Sequence, residues 1–102
     1  MEAIPMSYKR VQVHETPLSW SENMKIFRKT VAPALNALKK QKVLLSWSFV
    51  QTGDHTGLVI TEFNNKAKMN KYLKNMRAIR DEIVADTGMQ TWIHHGPVKA
   101  SG

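Results

Sequence analysis

The chain contains no cysteine among its 102 residues. This absence excludes disulfides, thiolate nucleophiles and cysteine-ligated zinc or iron–sulfur centres. No apolar run approaches the roughly 20 residues that a membrane-spanning helix needs. Residues 1–6 lack the basic start and the apolar stretch of a secretory signal, so we expect a cytoplasmic protein without a membrane span.

Acidic residues are scarce relative to basic ones. The chain has 15 Lys and Arg against 8 Asp and Glu, which gives a net charge of +7. Such a surplus can attract an anionic partner such as nucleic acid or an acidic lipid surface. Twelve of the 15 basic residues, however, fall within 25–42 and 66–80, two segments of helical pattern. On the outer faces of helices they predict a solvated surface, so a nucleic-acid partner is not favoured.

The first part of the chain predicts a strand followed by a helix. Residues 8–14 alternate apolar and polar side chains, which is the period of a half-buried strand. Ser19 and Glu22 form a capping box that opens the helix. Its apolar stripe consists of Met24, Phe27, Val31, Leu35 and Leu38. Pro33 lies inside this pattern and is expected to bend the helix without ending it.

The second part predicts a hairpin, a helix and a last strand. Residues 43–51 and 58–63 are rich in branched and aromatic side chains and are joined by a polar turn. Asn64 or Asn65 caps the second helix, and Gly88 occupies the position of a C-terminal glycine cap. The apolar stripe of this helix consists of Met69, Tyr72, Leu73, Met76, Ile79 and Ile83. The last strand follows Gly88.

The element order is therefore β-α-β-β-α-β, the split βαβ arrangement. We expect an α+β, ferredoxin-like sandwich in which two helices cover one face of a four-stranded antiparallel sheet. A single domain is expected over residues 1–102, with a core of 8–96 and terminal arms of 1–7 and 97–102.

Large apolar side chains lie on both faces of the predicted hairpin. Leu58 and Ile60 point to one face, and Val59 and Phe63 to the other. The preceding strand likewise separates Leu45, Trp47 and Phe49 from Leu44 and Val50. The hairpin register stays open, because a slip of one residue exchanges the faces. Since two helices cover only one face, the other predicts a homodimer formed through the sheets.

The segments Leu45–Phe49 and Leu58–Phe63 resemble the second and third strands of the dimeric α+β barrel superfamily. A Glu-aromatic pair often ends the third strand there, and the resemblance spans residues 8–96. Members include antibiotic-biosynthesis-type monooxygenases, muconolactone isomerases, haem-degrading monooxygenases and uncharacterised proteins. The resemblance implies that two sheets close a barrel and that a pocket lies between each sheet and its own helices.

The haem-degrading branch of that superfamily ligates iron through a histidine on the second helix. This chain has no histidine between Asn64 and Asp86. The resemblance therefore does not extend to haem, and we expect no cofactor.

The aromatic and apolar residues of the predicted sandwich suggest a ligand pocket. Its expected lining is Trp20, Phe27, Val31, Trp47, Phe49, Tyr72, Met76 and Trp92. Such walls suit an apolar or aromatic molecule, lipid-like or polyketide-like. With the resemblance, they suggest a cofactor-independent monooxygenase or an isomerase, although no catalytic signature establishes an enzyme. The expected dimer interface consists of Leu58, Ile60, Glu62 and Arg10, with a salt bridge between the last two.

Histidines are the candidates for general acid–base chemistry, since imidazole titrates near neutrality. His14 should pair with residues 89–91 of the last strand, while His94 and His95 should lie beside Tyr8 and Arg10. Adjacent strand residues point to opposite faces, so we predict no metal site from the His94–His95 pair. His14 and His94 remain the catalytic candidates.

Two other functions stay open. The element order also matches an RNA-recognition motif, but the positions of its base-stacking aromatics hold Leu58 and Ile60, which are aliphatic. A basic nucleic-acid-binding module remains the alternative hypothesis, and an accessory dimer without a ligand is the third.

Overall fold

The structure, a computed structural model, describes residues 7–102. Its elements are β1 (Tyr8–Glu15), α1 (Trp20–Ile26), a π-helical segment (Phe27–Val31), α2 (Ala32–Lys40), β2 (Ser46–Gln51), β3 (Thr56–Phe63), α3 (Lys66–Thr87) and β4 (Gln90–Pro97). The three helical parts from 20 to 40 follow one another without a break and form the first helical arm. The predicted ferredoxin-like order is confirmed, with two helical arms and a four-stranded sheet.

The strands lie in the order β2-β3-β1-β4, and every neighbouring pair is antiparallel. The predicted pairing of the first and last strands is correct: His14 lies opposite Thr91, and Arg10 opposite His95. Because β1 is central, its side chains have sheet neighbours on both sides, and those on one face lie beneath the helices.

The hairpin register, which the sequence left open, is settled by the pairing of Trp47 with Thr61 and of Phe49 with Val59. Trp47 and Phe49 both pack against the buried core under the helices. Strand alternation then places Leu58 and Ile60 on the opposite face, called here the open face of the sheet.

The predicted second strand begins later than expected, at Ser46 instead of Val43. The first arm ends in a Schellman motif, in which Lys42 adopts a left-handed conformation with φ of 61°. The Val43 N–H donates to the Leu38 carbonyl, and the Lys42 N–H to that of Lys39, both over 3.0 Å. Val43 and Leu44 are buried in the core as a result, so Leu44 does not belong to the open face.

Pro33 stands near the start of α2, directly after the π-helical segment. The Ala32 N–H reaches back five residues to the Phe27 carbonyl, instead of four. A proline removes one helical N–H and crowds the carbonyl four residues earlier, and a wider turn accommodates both effects. The helix thus continues through Pro33, as predicted, but it does so by a π-helical insertion.

The predicted helix caps are confirmed. Ser19 accepts a hydrogen bond from the Glu22 N–H over 3.2 Å, and Asn65 accepts one from the Lys68 N–H over 2.9 Å. Gly88 ends α3 with a left-handed φ of 70°. None of the helices within residues 7–102 is long and apolar enough to cross a membrane.

Candidate functional site

The helix-covered face of β1 carries a row of polar side chains. Alternation along the strand places Arg10, Gln12 and His14 together beneath the helices, and Val11 and Val13 on the open face. Arg10 is only 1% exposed and His14 only 2%. A sheet covered on one side by helices normally turns its apolar residues inward, so β1 reverses the usual arrangement.

This polar row forms one side of a cavity of about 70 Å³ between the sheet and the helices. The lining comprises Arg10, Gln12, His14, Asn23, Ile26, Phe27, Val31, Phe49, Val59, Tyr72, Leu73, Met76, Ile79, Arg80, Ile83 and Met89. A groove of about 260 Å³ between the first arm and α3 adjoins it, and both share Ile26, Ile79 and Ile83. The cavity is thus the inner part of a larger depression with mainly apolar walls.

Arg10 holds the positive charge of the cavity. Its Nη1 donates to the Gln12 Oε1 over 3.1 Å, and its Cζ lies 5.6 Å from the centre of the Tyr72 ring. Its Nε has no hydrogen-bond partner within residues 7–102. Burial lowers the pKa of Arg10 from its usual value, because the charged form is desolvated.

None of the residues that line the cavity around Arg10 carries a negative charge. Burial raises the pKa of Tyr72, so its phenol stays neutral at physiological pH. Arg80 is a second cation of the lining. Its Nε lies 4.0 Å from an Asp81 carboxylate oxygen that is largely exposed, a weak surface pair. The cavity therefore has a positive end.

His14 forms a neutral polar end. The Asn23 Nδ2 donates to its Nε2 over 3.3 Å, and the Phe49 ring meets the imidazole edge-on at 5.3 Å between centres. Gly57 leaves the space for the ring, since a Cβ there would lie 2.7 Å from the His14 Cε1. Burial lowers the pKa of His14, which favours the neutral imidazole at pH 7.

Among the eight residues assigned to the pocket from sequence, the structure brings five together around the cavity. These are Phe27, Val31, Phe49, Tyr72 and Met76. Trp20 packs edge-on against Phe49 at 5.2 Å, outside the lining. Trp47 stacks at an angle on Phe27 at 5.6 Å, and its Nε1 donates to the Asn36 Oδ1 over 3.0 Å. The two tryptophans thus support the lining residues from behind.

The assignment of Trp92 to the pocket is wrong. Trp92 pairs with Val13 and therefore shares the open face with it. Its exposed fraction is 47%, the largest among the exposed large apolar side chains of the described residues.

The assignment of Arg10 to the dimer interface is also wrong. Arg10 pairs with Thr61, a buried residue of the helix-covered face, while Glu62 pairs with Lys9 on the open face. The expected salt bridge between Arg10 and Glu62 is not formed, because the two side chains point to opposite sides of the sheet. The Ser7 hydroxyl instead donates to Glu62 over 2.8 Å.

Leu58 and Ile60, which were assigned to the dimer interface together with Arg10 and Glu62, lie on the open face.

The catalytic candidate His94 pairs with Val11 on the open face and is exposed, so it does not contact His14. His95 contacts the Tyr8 hydroxyl through its Nδ1 at 2.7 Å. Over the described part of the chain, no three His, Asp or Glu side chains are grouped to hold a metal ion.

Sequence reasoning missed Gln12 and Asn23, and it placed Arg10 on the wrong side. The signal was present as three polar residues at alternate positions, 10, 12 and 14. That spacing is as regular as that of the valines between them, so the pattern defines two faces without telling which one is covered.

Comparisons with known proteins identify the fold. No protein-family model matches the chain, and no curated protein matches it in sequence. It is similar in structure to a protein of unknown function from Nitrosomonas europaea, with a TM-score of 0.70 and 16% identity over 97% of this chain and 96% of that one. A dimeric ferredoxin-like protein from an uncultured marine organism has a TM-score of 0.75 at 8% identity, over 95% and 91% of the two chains.

SnoaB from Streptomyces nogalater, a cofactor-independent oxygenase, is similar with a TM-score of 0.59 at 12% identity, over 94% of each chain. These similarities confirm the predicted ferredoxin-like fold.

Proposed function

We propose that the chain binds a small apolar or aromatic molecule in the cavity between its sheet and its helices. The observation that carries this proposal is a preformed cavity with apolar walls and a few convergent polar groups, the usual composition of a ligand site. Phe27, Phe49 and Met76 supply wall surface, while Arg10 and His14 would fix the orientation of a ligand.

The cavity size favours a compact ligand. Its volume of about 70 Å³ is smaller than the ~150 Å³ engineered cavity that accommodates benzene. A ring-sized compound would occupy the inner cavity in part and extend into the adjoining groove past Ile79 and Ile83. A lipid-like or polyketide-like chain would require side chains such as Met76 and Leu73 to move, which methionine permits more readily than branched residues do.

Catalysis is the finer part of the proposal. SnoaB, a cofactor-independent oxygenase, shares the fold, which supports such an activity by analogy alone. His14 is the one catalytic candidate that faces the cavity, and as a neutral imidazole it could accept a proton. Its Nε2, however, already accepts a hydrogen bond from Asn23, so the described arrangement favours holding a ligand over proton abstraction.

Ligand-induced thermal stabilisation tests the site. A panel of single-ring compounds should raise the melting temperature, since a ligand that binds only the native state stabilises it. Val59→Phe, which places a larger side chain in the cavity wall, should abolish the shift. Val84→Phe makes the same change on the exposed side of α3 and should preserve it. A shift that persists in Val59→Phe would place the ligand elsewhere, and a general absence of shifts would favour an accessory protein without a ligand.

We further propose that two copies associate through the open faces of their sheets. The apolar residues of that face are Val11, Val13, Val50, Leu58, Ile60 and Trp92. A contiguous apolar surface of this kind usually marks an interface, and two structurally similar proteins are described as dimeric. Because Leu58 and Ile60 are aliphatic, the same face offers no stacking platform at those positions for nucleic-acid bases. Sedimentation of a stable monomer at high concentration would contradict this proposal.

A further inference from the structure

We propose that the ligand of the cavity carries a carboxylate and that this carboxylate pairs with Arg10. The inference rests on the proposed binding function of the cavity and names the chemical class of its ligand.

The hydrogen bonding of Arg10 is incomplete. A guanidinium has five N–H donors, and only the bond from Nη1 to the neutral Gln12 amide is formed within residues 7–102. The buried Nε has no partner there. Buried polar atoms of proteins are nearly always paired, so a donor without a partner at the edge of a cavity indicates that a bound ligand supplies the acceptor.

The charge around Arg10 is also unbalanced. No aspartate or glutamate belongs to the cavity lining, and Arg80 adds a second cation to it. The Tyr72 ring at 5.6 Å offers a cation–π contact but no formal negative charge. A buried cation without an anion costs stability. A bound anion would remove that cost.

The shape of the site selects a carboxylate among anions. The planar guanidinium fork binds a carboxylate through two parallel hydrogen bonds. A phosphate dianion would bring more acceptor atoms than the buried, partly occupied Arg10 fork and a 70 Å³ cavity can accommodate, and Arg80 is already close to the Asp81 carboxylate. At the other end, His14 is already bonded to the neutral Asn23 amide, so nothing there demands a second charge. The expected ligand is therefore a compact monocarboxylate with an apolar body.

Matched pairs of probes test this inference by calorimetric titration. Benzoate is compared with benzamide, and isobutyrate with isobutyramide, because each pair differs in charge and little in shape. The wild-type protein should bind each carboxylate at least about tenfold more tightly than its amide, as expected for a charge-assisted pair. In Arg10→Met the preference should disappear, because the carboxylate loses a charge-assisted pair and the amide only a neutral hydrogen bond.

Three variants serve as controls. Arg77→Met removes an exposed arginine of α3 and should leave the preference intact. Arg10→Lys keeps the charge but loses the fork, so it should retain part of the preference, and it replaces Arg10→Met if that variant fails to fold. Glu2→Gln changes an acid outside the described residues and should leave carboxylate binding unchanged.

The outcomes separate this inference from the function on which it rests. Equal binding of carboxylate and amide would overturn the inference and leave the cavity as a binding site. A preference that survives in both Arg10 variants would assign the anion to another group and also overturn it. Tighter carboxylate binding in Glu2→Gln would show that the chain supplies its own anion to Arg10, which would overturn the premise that the guanidinium requires one from a ligand. If no probe of either kind binds, the proposed function fails together with the inference.

Discussion

The two faces of β1 differ in the opposite sense from that expected of a sheet covered by helices, because the covered face is polar and the open face is apolar. The covered face holds Arg10, Gln12 and His14, whereas the open face holds Val11 and Val13. The adjacent strand β3 has no such reversal at its C-terminal end, where the buried Phe63 lies beneath the helices and Glu62 lies on the open face.

The reversal is most complete along β1, which forms the floor of the cavity. A packed core would be more stable with apolar residues at these positions, since burying a charge or an imidazole requires desolvation. The difference between the faces is what the two proposals require: a polar covered side for a ligand site, and an apolar open side for association with a second copy.

The largest expected effect comes from charging the open face. Ile60→Lys should shift the proposed dimer to monomer, raising the dissociation constant at least about 100-fold, because a two-fold interface would bury two unpaired ammonium groups. Ile93→Lys makes the same substitution at an exposed position of β4 on the other face and should leave the dimer intact. Sedimentation velocity over a range of concentrations measures both. An unchanged sedimentation profile of Ile60→Lys would refute the proposed use of the open face.

Removing the buried charge of the covered face should have the next largest effect, and it should stabilise the protein. Arg10→Met fills a similar volume without a charge, and such replacements stabilise by about 2 kcal/mol. Urea denaturation measures the free energy of unfolding, and Arg77→Met at the surface should change it by less than about 0.5 kcal/mol. A marked loss of stability in Arg10→Met would instead mean that the guanidinium has an anionic partner in the unliganded chain.

Gly57 tests how tightly the covered face holds His14. In Gly57→Ala the new methyl group would lie 2.7 Å from the His14 Cε1 and 3.0 Å from the Val50 carbonyl oxygen. We expect a loss of about 1.5 kcal/mol in the free energy of unfolding, as for other overpacked sites. Gly96→Ala is the matched control in β4, because a Cβ there meets nothing within 4 Å. Equal stability of the two variants would show that the imidazole is not held in place.

The smallest effect concerns the pH dependence of stability. Burial lowers the pKa of His14 in the native state, so below about pH 6.5 the unfolded chain binds a proton that the native chain does not. Stability due to this group is complete above that pH and falls as the pH decreases, by at most about 1.4 kcal/mol per pH unit for one proton.

The pH effect is measured by urea denaturation of wild type and His14→Gln at several values between pH 7 and pH 5. His14→Gln should reduce the slope, whereas His55→Gln, in the exposed turn, should keep the contribution of His14. A slope that His14→Gln leaves unchanged would count against a buried neutral imidazole.

Much of the fold could be predicted from local patterns. Ser19, Asn65 and Gly88 each mark a helix end through their own side-chain or backbone chemistry, which needs no knowledge of the rest of the chain. The stripes of the two helical arms and the polar turn of the hairpin then determine the element order. These signals depend on residues that are close in sequence, and for that reason the predictions based on them were confirmed.

The side of the sheet on which β1 residues lie could not be predicted in the same way. Placing Trp92 in the pocket and Arg10 at the interface amounts to one error, the choice of the wrong covered face for β1 and β4. Apolar residues usually define the covered face of a strand, but on β1 they define the open one. The π-helical segment could not be predicted from the sequence either, because it is defined by a backbone hydrogen bond from the Ala32 N–H to the Phe27 carbonyl.

That π-helical segment has an evolutionary consequence. A π turn holds one more residue than an α-turn, while the helical parts on either side keep their directions. Deleting a single codon within 27–31 would therefore leave a regular helix in which α1 and α2 face as before. The same deletion between Asn23 and Phe27 would instead turn the preceding residues by about 100° relative to α2, and Asn23 would no longer face His14. The π-helical segment is thus a place where the first arm can lose a residue in evolution without losing the neutral polar end of the cavity.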